Sequence, residues 1–257
     1  MNPSIEFAGL KLKNPTMNAS GILDETGDSM VALAKAGAGA VVTKSIGIKG
    51  RDGHKNPTVI VLEHGMINAM GLPNPGIDEY GEEIRIAKSA GVPVIASIFG
   101  GDPGEFGILA KRMQEYGADA VELNVSCPHA KGFGAQLGTD PVMVTEVVKA
   151  AKSAAKIPVF VKLTPNVNNI VPIAKAAEAA GADGIVAINT VKAMSIDLET
   201  GMPILGNKLG GYSGPAVKPI GVRAVYDIAK EVKIPIIGVG GITTGEDAIE
   251  YIMAGAT

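Results

Sequence analysis

The feature that most constrains this chain is a recurring unit: an Ala/Lys/Glu-rich amphipathic stretch, a Gly-containing turn, a short β-branched apolar run and then polar residues. It recurs in KAGAGAVVTKS, SAGVPVIASI, YGADAVELNVS, AAKIPVFVKLT, AAGADGIVAINT and VKIPIIGVGG, and PTMNASG reads as a first strand. Each apolar run lacks the polar alternation of a half-wet strand, so both faces must be covered. Parallel strands joined by helical crossovers satisfy that requirement. Seven evenly spaced units point to an α/β fold, a TIM (β/α)8 barrel, as one domain over residues 1–257. An open doubly wound sheet is the runner-up, but it usually has fewer units and a Gly-rich phosphate turn after its first strand. The last residues, EDAIEYIMAGAT, read as the seventh helix and a turn. Strand eight is therefore expected to be missing and the domain C-terminally incomplete.

Composition narrows the function. The chain is 46% apolar with a formal net charge of -3, so no basic surface exists to neutralise a run of phosphates, and nucleic-acid binding is disfavoured. One cysteine, Cys127, excludes an internal disulfide framework and any metal site built from several thiolates, and the three histidines show no metal-ligand spacing. No metal is expected. No basic stretch followed by an apolar core opens the chain, and no long uncharged apolar run follows, so a cytoplasmic protein without a membrane span is expected.

Polar residues end the apolar runs: Asn18 and Ser20, Lys44 and Ser45, Asn124 with Ser126 and Cys127, Lys162 and Thr164, Asn189 and Thr190. In a barrel these positions converge on the C-terminal mouth, where active sites are built. Solvent exposure alone would account for any one of them, but not for two lysines over the barrel axis. Lys44 and Lys162 there pay desolvation unless an anion or an electron-rich ring lies nearby. Gly238–Ile242, followed by Thr243-Thr244-Gly245-Glu246, reads as a phosphate-binding turn leading into a helix. Gly210–Pro215 reads as a ligand-covering loop. Residues 45–80 and 191–219 are long insertions at the same mouth, and loops this long tend to be functional. A lone cysteine is usually inert, but Cys127 lies at the mouth, beside Pro128 and near lysines able to stabilise a thiolate. It is a candidate general base.

The motifs NASG at 18–21, TKS at 43–45, NAMGLPNPG at 68–76, NVSCP at 124–128, GGYSGPAVKPI at 210–220 and GVGGI at 238–242 resemble those of the class 1 dihydroorotate dehydrogenases, in family order along the whole chain. The resemblance implies FMN over the barrel mouth, held by Ser20, Lys44, Ser45, Asn124, Lys162, Ile188, Gly214, Gly240 and Gly241. It implies a planar substrate, dihydroorotate, held by Lys44, Asn68, Ala69, Met70, Gly71, Leu72, Asn124, Asn189 and Thr190. Cys127 would take a proton from ring carbon 5 while a hydride leaves carbon 6, with Lys44 and Lys162 completing the catalytic set.

Many members have Asn after the Cys-Pro pair, where this chain has His129, which puts one substrate contact in question. The cysteine base separates class 1 from the membrane-associated class, which uses serine. Overall similarity is to the NAD-linked subtype, whose catalytic subunit forms a homodimer within a heterotetramer with an electron-transfer partner carrying FAD and a 2Fe-2S cluster. A fumarate-reducing homodimer shares most of these motifs. A tRNA dihydrouridine synthase, also an FMN barrel with a cysteine, would bring a basic RNA-binding surface and an Asn-x-Gly-Cys-Pro signature, and neither is found. An inactive barrel would make Lys44, Cys127 and Lys162 incidental.

Overall fold

The structure is a computed structural model and describes residues 3–126 and 137–257. A hairpin of β1 (Ile5–Phe7) and β2 (Leu10–Leu12) opens the chain, turning through Ala8 and Gly9 at positive φ. There follow α1 (Gly27–Lys35), β3 (Val41–Val42), β4 (Val59–Leu62), β5 (Gly65–Asn68), α2 (Gly81–Lys88), β6 (Val94–Ile98), α3 (Pro103–Glu115) and β7 (Ala120–Asn124). After these come α4 (Pro141–Ala154), β8 (Val159–Leu163), α5 (Val171–Ala179), β9 (Gly184–Ala187), β10 (Val191–Ala193), β11 (Gly210–Ser213), α6 (Lys218–Ala229), β12 (Ile236–Gly238) and α7 (Gly245–Ala254).

Six strands form one parallel sheet in the order β12-β9-β8-β7-β6-β3, curled in the manner of a TIM barrel, with the helices outside. The period-two alternation of each strand sorts its residues into two layers. Val41, Val94, Ala96, Val121, Val159, Val161 and Ile185 pack outward in the main core with helix residues such as Phe106, Leu109, Val147 and Ile173. Val42, Ile95, Ala120, Phe160 and Val186 face inward, where Phe7 and Leu12 of the hairpin close the barrel floor. Phe7 meets Phe160 edge to face at 5.1 Å between centroids. Burying such side chains stabilises the fold by roughly 1.5–3 kcal/mol each. Two residues beyond Val42, Ile95, Ala120 and Phe160 the inward positions turn polar: Lys44, Ser97, Glu122 and Lys162. The site therefore rests on an apolar floor.

Two expectations need correction. PTMNASG does not form a strand; a single parallel bridge, Met17 to Ala40, marks its place. Pro15 lacks an N–H donor, and the Asn18 side chain takes over the ladder, donating to the Val42 carbonyl at 2.8 Å and accepting from the Val42 N–H at 2.9 Å. Gly210–Pro215 is not simply a covering loop either. Gly210–Ser213 is β11, the centre of an antiparallel sheet in the order β10-β11-β5-β4 that unites the two insertions.

Helix α7 starts where its sequence directs. Thr244 caps it, its side chain accepting from the Asp247 N–H while Asp247 reaches back to the Thr244 N–H, and Gly255 ends it in the left-handed conformation. Among the described residues no helix is long and apolar enough to cross a membrane.

Candidate functional site

The mouth is a hydrogen-bonded surface built from strand ends. Ser20 donates to the Thr43 carbonyl at 2.8 Å and lies 3.2 Å from the Ser45 hydroxyl. Asn124, at the end of β7, donates from Nδ2 to Ser45 Oγ at 3.1 Å and accepts at Oδ1 from Asn189 Nδ2 at 3.2 Å. The Thr190 N–H donates to Asn189 Oδ1 at 2.8 Å. Ser20, Ser45, Asn124, Asn189 and Thr190 are thus brought together as one network.

Both lysines are nearly buried. Lys162 reaches to within 3.7 Å of the buried Glu122 carboxylate, and register places Lys162 opposite Asn124. Lys44 lies 3.5 Å from Glu25, and its N–H donates to the Asp24 carbonyl. Asp24 is itself fully buried: one carboxylate oxygen accepts from the Gly21 N–H, and the other has no hydrogen-bond partner. Burial pushes its pKa up to about 6, against the opposing pull of the Gly21 N–H and of Lys44 and Lys162. Charges of both signs therefore meet among buried side chains.

The glycine loops converge on the other side of the mouth. A Cβ on Gly241 would stand 2.7 Å from the Gly214 carbonyl oxygen, and Gly214, Gly240 and Gly241 all have positive φ. Only glycine fits so tight an approach without strain. The Ile188 N–H donates to the Val239 carbonyl, tying Ile188 to the same loop. Lys218, at the start of α6, pairs with Asp247 and Glu250 of α7 at 2.7 Å each.

The segment Asn68–Leu72 joins through the insertions. Asn68 Nδ2 donates to the Gly211 carbonyl at 3.5 Å, and a Cβ on Gly211 would fall 2.0 Å from Thr190 Oγ1. Ala69 is buried, the Met70 carbonyl accepts from the His54 N–H, Gly71 and Leu72 have positive φ, and the Leu72 carbonyl accepts from Asn74 Nδ2. Cys127 and His129 lie outside the described residues. Among those described, no group of three or more His, Cys, Asp or Glu is placed to hold a metal ion.

Reading strand ends alone missed Asp24, Ser97 and Glu122. The signal was present: a glutamate within VELNV and a serine within VIASI interrupt runs that are otherwise apolar. A buried polar residue is informative where an exposed one is not.

The residues fit a flat, partly anionic cofactor of the flavin mononucleotide type. Two buried lysines face the mouth, and paired glycine loops that would not accept a Cβ adjoin a helix N-terminus, a combination suited to close approach by a phosphate.

A family model described as dihydroorotate dehydrogenase matches residues 4–257. The chain is 60% identical over 256 residues to a protein of Methanocella arvoryzae, covering 100% of this chain and 84% of the relative. It is 58% identical over 254 residues to one of Thermoplasma acidophilum (99% and 84%) and 55% identical over 255 residues to one of Methanocaldococcus jannaschii (98% and 83%). Each of the three is named dihydroorotate dehydrogenase B (NAD(+)), catalytic subunit.

Proposed function

Because the chain belongs to the dihydroorotate dehydrogenase family, we propose that it oxidises (S)-dihydroorotate to orotate in pyrimidine biosynthesis, as a single FMN-binding barrel unit. The observation that carries this reading is the convergence of Lys44, Lys162 and the Asn124–Asn189 pair on one mouth flanked by the glycine loops.

Bound FMN would supply the acceptor for the hydride that leaves carbon 6. The chain's own residues do the rest. Ser20, Lys44, Ser45, Asn124, Lys162, Ile188, Gly214, Gly240 and Gly241 are the residues proposed to hold the cofactor. Lys44, the Asn68–Leu72 segment, Asn124, Asn189 and Thr190 orient the substrate, with amide donors and a cation meeting its carbonyls and carboxylate. Cys127 is the base in this reading, its sulfur taking the proton from carbon 5. Lys162, a buried cation, favours negative charge gained by the ring system beside it.

The relatives' names support NAD+ as final acceptor and an electron-transfer partner subunit, which we place in a cytoplasmic heterotetramer around a homodimer of this chain. FAD and a 2Fe-2S cluster belong to that partner in this reading.

The test is anaerobic addition of L-dihydroorotate to the FMN-loaded protein while flavin absorbance is followed, beside a Cys127→Ser variant. Rapid bleaching, slowed at least a hundredfold by the substitution, is expected. A flavin that stays oxidised would refute the substrate, and unchanged bleaching in the variant would refute the base.

A further inference from the structure

Beneath the mouth, one layer down the barrel, lies a buried carboxylate that the reaction as described leaves without a task. Glu122 is 3% exposed and points inward from β7, two residues before Asn124 on the same face. Its Oε1 accepts from the Ser97 hydroxyl at 2.9 Å and stands 3.7 Å from the Lys162 ammonium. Holding two charges out of water is costly, and an apolar pair of similar size would avoid that cost. Such a pair is best understood through what it orients.

A carboxylate only accepts hydrogen bonds, and that property propagates upward. Ser97 spends its single proton on Glu122, so at 2.8 Å it must accept from Ser45. Ser45 spends its proton on Ser97, so its oxygen accepts from Asn124 Nδ2. With the Asn124 amide turned that way, its Oδ1 receives Asn189 Nδ2 and the Ser126 N–H, and Asn189 Oδ1 receives the Thr190 N–H. Every bond runs in one direction, from Asn189 down to Glu122. Both amide oxygens are used within the protein, and each amide keeps one N–H that this chain of bonds does not use.

We propose that Glu122 is a positioning residue which, through Ser97 and Ser45, fixes the Asn124 and Asn189 amides with donors toward the ligand, and which balances Lys162 from below. The mouth then selects a ring edge bearing acceptors, carbonyl or carboxylate, over one bearing an amino group. This deepens the flavin and dihydroorotate reading and rests on it.

Two variants separate the two tasks. Ser97→Ala breaks the relay and keeps the charge, whereas Glu122→Gln keeps an acceptor and removes the charge. With FMN-loaded protein, dissociation constants are read from the flavin absorbance change for orotate and for its analogue with an amino group replacing the 4-carbonyl. Ser97→Ala is expected to weaken orotate about tenfold and to lower the preference for orotate over the amino analogue by at least tenfold, because Ser45, without Ser97 to accept its proton, can donate to Asn124 and set the amide against the orientation that the Ser126 and Thr190 N–H groups favour. Glu122→Gln leaves Lys162 uncompensated and is expected to favour the reduced flavin at least tenfold, a rise of about 30 mV in midpoint potential for a two-electron couple. Equal weakening of both ligands by Ser97→Ala, or wild-type binding, overturns the relay. An unmoved or lower potential in Glu122→Gln overturns the charge role. A wild-type flavin that orotate does not perturb would overturn the underlying reading and this one with it, whereas a perturbed wild-type flavin with an unchanged ligand ratio in Ser97→Ala overturns this one alone.

Discussion

Asp24 shows how a single side chain in this site trades stability for charge. It is fully buried, one of its oxygens lacks a partner, and burial raises its pKa from 3.8 to about 6. The folded protein thus holds this proton more tightly than the unfolded chain. Between roughly pH 4 and 6 the folded state binds more protons, so stability falls as pH rises through that window and stays reduced above it, by on the order of 3 kcal/mol. Asp24→Asn keeps an acceptor for the Gly21 N–H and removes the buried charge. Urea unfolding is expected to find the variant more stable by about 2–3 kcal/mol near pH 7.5, with the gap shrinking by about half near pH 5. An equal gap at both pH values would show that the carboxyl does not titrate in this window. A gap of opposite sign would mean that attraction to Lys44 and Lys162 outweighs desolvation.

At the scale of elements, the antiparallel sheet couples the insertions to the mouth through backbone contact. β11 pairs with β5 and with β10, and Gly211 sits opposite both Asn68 and Lys192. No side chain fits there, since a Cβ would collide with Thr190 Oγ1 at 2.0 Å. Gly211→Ala is therefore expected to displace Thr190 and to weaken orotate binding about tenfold or more, while the thermal midpoint moves by only a few degrees. Titration of the flavin absorbance beside a melting curve checks both. Wild-type orotate affinity would show that Thr190 does not contact the ligand. This sheet was not legible in the sequence, because each insertion carries only half of it and nothing local to Val59–Leu62 or Gly210–Ser213 names the partner strand. The parallel strands were legible because covered strands must be apolar throughout, and the start of α7 because Thr244 is a side chain that caps. Polar strand ends located the mouth. They did not reveal Ser97 and Glu122, whose meaning depends on which strands lie side by side.

Across the whole molecule, the repeated unit carries its own closing device at the end of the barrel opposite the mouth. Asp119 accepts from the Val94 N–H at 2.7 Å and from Lys88 at 2.6 Å; Asp183 accepts from the Val159 N–H and from Lys152 at 2.7 Å each. Gln114 and Glu178 likewise accept from the backbone N–H pairs of Lys156 with Ile157 and of Lys233 with Ile234. Lysine, amide or acid, and aspartate thus recur at one spacing in alternate units, which is why YGADAVEL and AAGADGIV look alike. The lysines are about a third exposed, so each ion pair contributes less than about 1 kcal/mol. The larger share is satisfaction of backbone N–H groups in strands whose Val94 and Val159 are wholly buried. Asp119→Ala and Asp183→Ala should each destabilise by about 1–3 kcal/mol, and Lys88→Met by less. Their strands, β7 and β9, are separated by β8, roughly 10 Å at the usual strand spacing, so the double variant should lose the sum within about 0.5 kcal/mol. Urea unfolding of the FMN-loaded protein gives all four values. A double variant no worse than either single one would mean that the two units already open together, and that the barrel floor behaves as one cooperative piece instead of two independently closed ones.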